Sequence, residues 1–251
     1  MGALPGYEVL PLFMLVAAMY ASVGHGGASG YLALFAILGI ASPDIVPVVL
    51  ILNILVASTG FRQFYREGYF RIDLLLPFIL ISIPAAFIGG MITVDRVVFS
   101  ILLGLALLFS AWRILFFRPL AVKPSPPERP RFWKIALPVG AVLGLLAGMI
   151  GIGGGVFLSP FLLLIRWADA RQTAAISSAF IVVNSMAGLS GHLLRADTTV
   201  TFAPLLIVAV LLGGYIGARS GARTLAPQTI RAVLAVVLIL AGSKLIGTAL
   251  V

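Results

Sequence analysis

Apolar residues run through this chain in helix-length blocks rather than in alternation. The blocks at 45–60, 74–92, 97–117, 172–190, 202–218 and 230–250 predict six transmembrane helices, because crossing a hydrocarbon core of about 30 Å takes about 20 residues. The ten-residue alternation of a membrane barrel is absent from the sequence. Two further apolar segments, 10–40 and 135–165, are broken in the middle. The first carries Gly24-His25-Gly26-Gly27-Ala28-Ser29-Gly30, the second Gly151-Ile152-Gly153-Gly154-Gly155. Such a break exposes backbone N–H groups at membrane depth, which is tolerable only where they line a cavity or meet a ligand.

The breaks start 127 residues apart, about half of the 251-residue chain. In each half the order is the same: a broken segment, a helix carrying an asparagine (Asn53, Asn184), a polar loop and two more helices. Between the halves, Arg118 to Arg131 (RPLAVKPSPPERPR) is rich in proline and basic residues and reads as an extended linker. The expected organisation is therefore repeat 1 over 1–117, a cytoplasmic linker at 118–134 and repeat 2 over 135–251. Paired helix breaks in corresponding positions mark a duplicated transporter with its site at the repeat interface.

Length decides how the broken segments meet the membrane. As one helix, 135–165 would run ~46 Å, too long for a straight crossing, while its arms 136–150 and 156–165 would reach only ~22 Å and ~15 Å. A re-entrant hairpin, entering and leaving on one side, fits both lengths. Charge agrees. With the linker inside and both segments re-entrant, 14 of the 17 Lys and Arg residues fall inside; Arg96, Arg195 and Lys244 stay outside. Crossing segments would give a poorer split, so the positive-inside rule favours re-entrance. Three full spans per half is odd. The second half is then inverted relative to the first, both termini face outward, and two re-entrant tips approach the midplane from opposite faces. The fold expected is an all-α integral membrane protein of two inverted repeats, each a glycine-broken re-entrant hairpin plus three transmembrane helices.

Composition fixes the class. Hydrophobic residues make up 61% and charged residues 10%, against about 25% charged in a soluble domain. The net charge of +9 would suggest nucleic acid in a soluble protein; here it marks loops facing anionic lipid. The first ten residues carry Glu8 and no basic residue, so they lack the n-region of a signal peptide. The chain has no cysteine, which excludes disulfides and thiolate metal sites. No cofactor, metal or catalytic residue is expected.

The candidate chemistry lies at the tips. After each break a short helix starts, near Ser29 and near Val156, with unpaired N–H donors and the positive end of its dipole. Two such ends converging make an anion site without any Lys or Arg. The expected binding set is Gly24, His25, Gly26, Gly27, Ala28, Ser29 and Asn53 from the first half. The second half contributes Gly151, Gly153, Gly154, Gly155, Ser159, Ser178 and Asn184, with Ser22 and Ser177 as further polar neighbours. His25 is the one ionisable side chain expected near a tip, to touch the anion or carry a coupled proton. His192 is expected at an outer helix end, in solvent. Gly140, Gly144 and Gly148, and Gly213, Gly214, Gly217 and Gly221, read as helix-packing faces.

Gly151-Ile152-Gly153-Gly154-Gly155 followed by Ser159-Pro160 resembles the glycine-rich signature of the sulfite exporter TauE/SafE family, the toluene sulfonate uptake permease group. Length, duplication, the polar mid-chain linker and the apolarity agree along the whole chain. The resemblance implies secondary transport of a sulfur-containing anion: sulfite, thiosulfate or an organosulfonate. It implies a multi-pass protein of the bacterial inner membrane, with membrane lipid as a partner and room for a homo-oligomer. The first half departs from the pattern, with Ala28 for the third glycine, Ala33 for the proline and His25 for Ile152. Two other readings remain open. A passive channel with paired half-helices is one, although Asn-Pro-Ala tips are absent. A rhomboid-like intramembrane protease is the other: Gly27-Ala28-Ser29-Gly30 spells GxSG, with His192 as base.

Overall fold

The computed structural model describes residues 7–116, 129–195, 204–223 and 228–250. Every regular element among them is helical. The α-helices are α1 (Leu10–Ala21), α2 (Ala28–Ile37), α3 (Val46–Arg66), α4 (Ile72–Met91), α5 (Arg96–Phe116), α6 (Arg129–Ile150), α7 (Gly155–Leu164), α8 (Ala170–Leu193), α9 (Pro204–Arg223) and α10 (Gln228–Ala249). Among the described residues, six stretches are long and apolar enough to cross a membrane: Pro43–Arg66, Ile72–Met91, Arg96–Phe116, Arg131–Ile150, Ala170–Leu193 and Pro204–Gly221. Five of them sit where the apolar blocks predict spans. The block at 230–250 is also helical, as α10.

The sixth candidate span is a correction. The arm taken as 136–150 extends back to Arg129, so α6 has 22 residues, about 33 Å at the helical rise. Residues 129–134, expected to be linker, are its first turns; Pro130 is tolerated there because the first N–H groups of a helix have no intrahelical partner. The rest of the expected linker, up to 128, lies outside the described residues. α6 is therefore not too short to cross.

What returns the chain is contact rather than length. The Phe132 ring, at the start of α6, lies 4.8 Å from that of Trp167, just past α7. Phe13, near the start of α1, lies 5.0 Å from Phe35, near the end of α2. Each hairpin leaves at the end of the bundle where it entered.

Glycine sets the tightest helix contacts. A Cβ on Gly140, Gly144 or Gly148 of α6 would strike the carbonyl oxygens of Phe78, Ser82 or Ala86 on α4. Gly213, Gly217 and Gly221 of α9 press in the same way on Met14, Ala18 and Ser22. In lipid, where no hydrophobic effect drives helices together, such backbone approach is a main source of cohesion. The expected packing faces are thus in place. Their spacing also runs α6 alongside α4 in the same direction, and α9 alongside α1.

The packing pattern maps onto itself when the halves are exchanged. α1 lies on α9 as α6 lies on α4, α3 on α9 as α8 on α4, and α2 on α10 as α7 on α5. α3 and α8 form the central pair. They are antiparallel, because Asn53 meets Ser185 while Gly60 faces Ser178.

Candidate functional site

The two glycine breaks meet at the middle of the α3–α8 pair, coming from opposite ends. Gly24 packs on Ala174, near the start of α8, and Gly151 on Val46, at the start of α3. Each loop overshoots the centre, and its short helix begins on the way back. Left-handed backbone makes this turn possible: Gly24, Gly27, Gly151, Gly153 and Gly154 have φ of 76°, 93°, 77°, 74° and 73°, where a Cβ would be strained. Gly27 and Gly154 are the N-caps of α2 and α7, and as glycines they offer no side chain of their own to the first turn. Each dipole therefore presents its positive end at the centre.

Asn53 lies between them, fully buried. Its Oδ1 accepts from Ala28 N at 3.3 Å, at the first turn of α2. Its Nδ2 donates to Ser185 Oγ at 3.0 Å, on α8. Gly26 lies against the Asn53 amide oxygen and Gly153 against its amide nitrogen. One side chain thus touches both tips. A small cavity opens here, of about 10 Å³, room for about one water molecule. It is lined from the first half by Tyr20, His25, Gly26, Gly27, Ala28, Ser29 and Asn53, and from the second by Ile152, Val156 and Ile181. No carboxylate lines it. Ser29 Oγ donates to Tyr20 Oη at 2.8 Å.

His25 closes one wall and is 3% exposed. Its Nδ1 is 3.0 Å from Val23 O and its Nε2 3.0 Å from Arg113 Nη1. A guanidinium only donates and a carbonyl only accepts. The ring is therefore the tautomer with hydrogen on Nδ1 and the lone pair on Nε2. Ser159 Oγ stands 3.0 Å from the same Nε2, 3.0 Å from Gly155 O and 2.8 Å from Ser177 Oγ.

The sequence-derived set separates into three groups. Gly26, Gly27, Ala28, Ser29, His25 and Asn53 face the cavity, and Gly153, Gly154, Gly155 and Ser159 frame the second tip beside it. Gly24 and Gly151 are turn residues packed on α8 and α3. Ser178 and Asn184 stand apart from the cavity. The Ser178 hydroxyl donates to Ala174 O on its own helix. Asn184 Nδ2 donates to Phe180 O at 2.8 Å, and its Oδ1 has no partner among the described residues. Asn53 and Asn184, equivalent by order in the sequence, therefore do different work.

Two residues correct the sequence reading. His192 is not solvated: it is 2% exposed, with Nε2 2.9 Å from Gly148 O. It lies against the glycine stripe of α6, and the Ser29 hydroxyl is committed to Tyr20 rather than to a base. Arg113, from the last turn of α5, brings a full positive charge to a site expected to hold none. Its 88-residue distance from His25 left no local signal; the one hint was a basic residue ending an otherwise apolar helix.

Comparison with known proteins matches this architecture. The family described as Sulfite exporter TauE/SafE covers residues 9–245. A protein named Probable membrane transporter protein y4hK, from Sinorhizobium fredii, is 37% identical over 236 residues, which is 93% of this chain and 95% of that protein. Probable membrane transporter protein YunE of Bacillus subtilis is 30% identical over 113 residues, 45% of this chain and 41% of its own. Sulfite exporter TauE/SafE family protein 1 of Arabidopsis thaliana is 40% identical over 84 residues, 32% of this chain and 19% of its own. No solved structure matches the chain. With the family pattern running through both glycine tips and nearly every helix, the chain belongs to the sulfite exporter TauE/SafE family of membrane transporters.

Proposed function

We propose that this protein is a secondary transporter of a small sulfur-containing anion, held between the N-termini of α2 and α7 at the interface of two inverted repeats. The observation that carries the reading is the convergence of two helix N-termini, each with glycine at its N-cap, on one cavity without a carboxylate. Backbone N–H groups and dipoles there favour negative charge. Sulfite, thiosulfate and organosulfonates supply that charge and several acceptor oxygens. The family name and the printed name of the Arabidopsis relative support the sulfur class.

The packing that repeats on exchange of the halves supports the inverted repeat. Arg171 Nη1, 2.5 Å from Tyr69 Oη, joins the first turn of α8 to the α3–α4 loop, both of which the basic-residue count assigns to the cytoplasmic side. In this reading the protein sits in the bacterial inner membrane with both termini outside. The cavity opens alternately to each face, and His25 is the group through which protons couple to the anion.

Uptake of radiolabelled sulfite, thiosulfate and an alkanesulfonate into liposomes carrying the purified protein tests the reading. Saturable uptake that is accelerated by unlabelled anion on the opposite side supports a carrier. Flux without counterflow acceleration makes it a channel. Absence of flux for every anion refutes the reading. A second series with an imposed pH gradient tests proton coupling.

A further inference from the structure

Behind the His25 ring stands a polar cluster whose other members, Arg113, Ser159 and Ser177, lie outside the cavity lining. Arg113 Nη1 and Ser159 Oγ each lie 3.0 Å from His25 Nε2, and Ser177 Oγ lies 2.8 Å from Ser159 Oγ. Ser159 and Ser177 are 1% and 0% exposed. The four side chains come from α5, the first tip, α7 and α8. The Arg113 guanidinium donates to the ring's lone pair, and the Ser159 hydroxyl, which donates to Gly155 O, and the Ser177 hydroxyl stand beside it; a guanidinium with hydroxyls at hand is a donor group that an oxyanion can take up. The imidazole nitrogen occupies the place of an oxyanion oxygen.

We propose that Arg113, Ser159 and Ser177 form a second anion subsite on the linker side of His25, claimed by a sulfur oxyanion when the imidazole turns aside. The proposal rests on the anion-transport reading above. Arg113 suits the task because its planar fork of donors matches two oxygens of one sulfite or sulfonate group, which a lysine ammonium cannot do. Its place in the last turn of α5 puts it next to the linker in the chain. The other repeat has a cation at the corresponding position: Lys244 follows Arg113 by 131 residues, as Asn184 follows Asn53. Lys244 Nζ, however, donates to Ile37 O at 2.8 Å, at the exposed end of α2. One cation is turned to the path and its counterpart caps a helix, so the subsite belongs to one side of the protein.

The test is equilibrium binding of thiosulfate, a dianion, and methanesulfonate, a monoanion, to the full-length protein and to Arg113→Gln, Arg113→Lys and Ser159→Ala. Loss of one charge-assisted contact weakens binding by about tenfold or more. Arg113→Gln is expected to weaken thiosulfate by at least that factor and methanesulfonate by less. Arg113→Lys is expected to keep the charge preference but lose affinity for both. Ser159→Ala is expected to weaken both anions alike. Arg113→Lys retains bulk and charge, and it decides the question if Arg113→Gln does not fold: wild-type affinity in the lysine variant overturns the fork. Equal loss of both anions in Arg113→Gln also overturns the subsite, reducing Arg113 to a support for His25. A wild-type protein that binds neither anion refutes the transport reading itself, a separate result.

Discussion

Asn53 Nδ2 donates to Ser185 Oγ at 3.0 Å, and this bond ties a helix of each half at the level where both short helices begin. Asn53→Ala removes it together with the bond to Ala28 N. Buried hydrogen bonds contribute about 1 kcal/mol each, and somewhat less on average between membrane helices. The variant is expected to lose about 1–2 kcal/mol and to transport poorly. Asn184→Ala, whose amide bonds only its own helix, is expected to do neither. Thermal unfolding in detergent with parallel uptake assays checks the pair, and equal behaviour of the two variants would contradict the tie.

Backbone strain and site geometry can be separated at the glycines. Gly154 has φ of +73° and a Cβ there would come 2.8 Å from Phe180 Cε1. Gly39 has φ of +78° and nothing within 4 Å. Alanine at either position incurs the left-handed penalty of about 1–2 kcal/mol. Only Gly154→Ala is expected to abolish uptake, since it also moves the start of α7. Retained uptake in a folded Gly154→Ala protein would leave that glycine as a turn residue alone.

The α4–α6 seam predicts another contrast. Gly144→Val places two methyl groups against the Ser82 backbone and is expected to abolish folding, since overpacking costs about 1–3 kcal/mol even where only side chains must yield. Gly247 in α10 has nothing within 4 Å. Gly247→Ala is expected to be neutral or to stabilise by up to ~1 kcal/mol through helix propensity. Expression level and Tm of the two variants suffice as the measurement.

Ser29 separates binding from hydrolysis. Ser29→Ala and Tyr20→Phe remove opposite ends of one 2.8 Å bond, and each is expected to weaken anion affinity by no more than about tenfold, the worth of ~1 kcal/mol. Labelling of wild-type Ser29 by a fluorophosphonate would instead mark an activated nucleophile and overturn the binding role.

Much of this was legible in the sequence because it is local. Two glycine runs inside apolar segments announce broken helices wherever they fold. Glycines at spacing four, as in Gly140, Gly144 and Gly148, announce a packing face. The start of α6 was hidden because Pro130 and Arg131 look like linker, although proline is at home in a first helical turn. His192 lies past the apolar block at 172–190, which on sequence alone places it in solvent; α8 instead runs to Leu193, and the bare backbone at Gly148 leaves room for the ring. Arg113 depends on which helices become neighbours, and no spacing along the chain encodes that.

The glycine seams have a last consequence. Most of the glycine comes from the second half: α6 offers three to α4 and α9 three to α1, while α4 returns Gly89 against Leu145 O and Gly90 beside Gly148. α1 and α4 present larger residues, Met14, Ala18 and Ser22 and Phe78, Ser82 and Ala86. Two first halves joined together would meet bulk against bulk, and two second halves would leave a gap where bulk should be. Over most of both seams the halves are complementary rather than alike, the bare glycine backbone of one seated on the larger residues of the other.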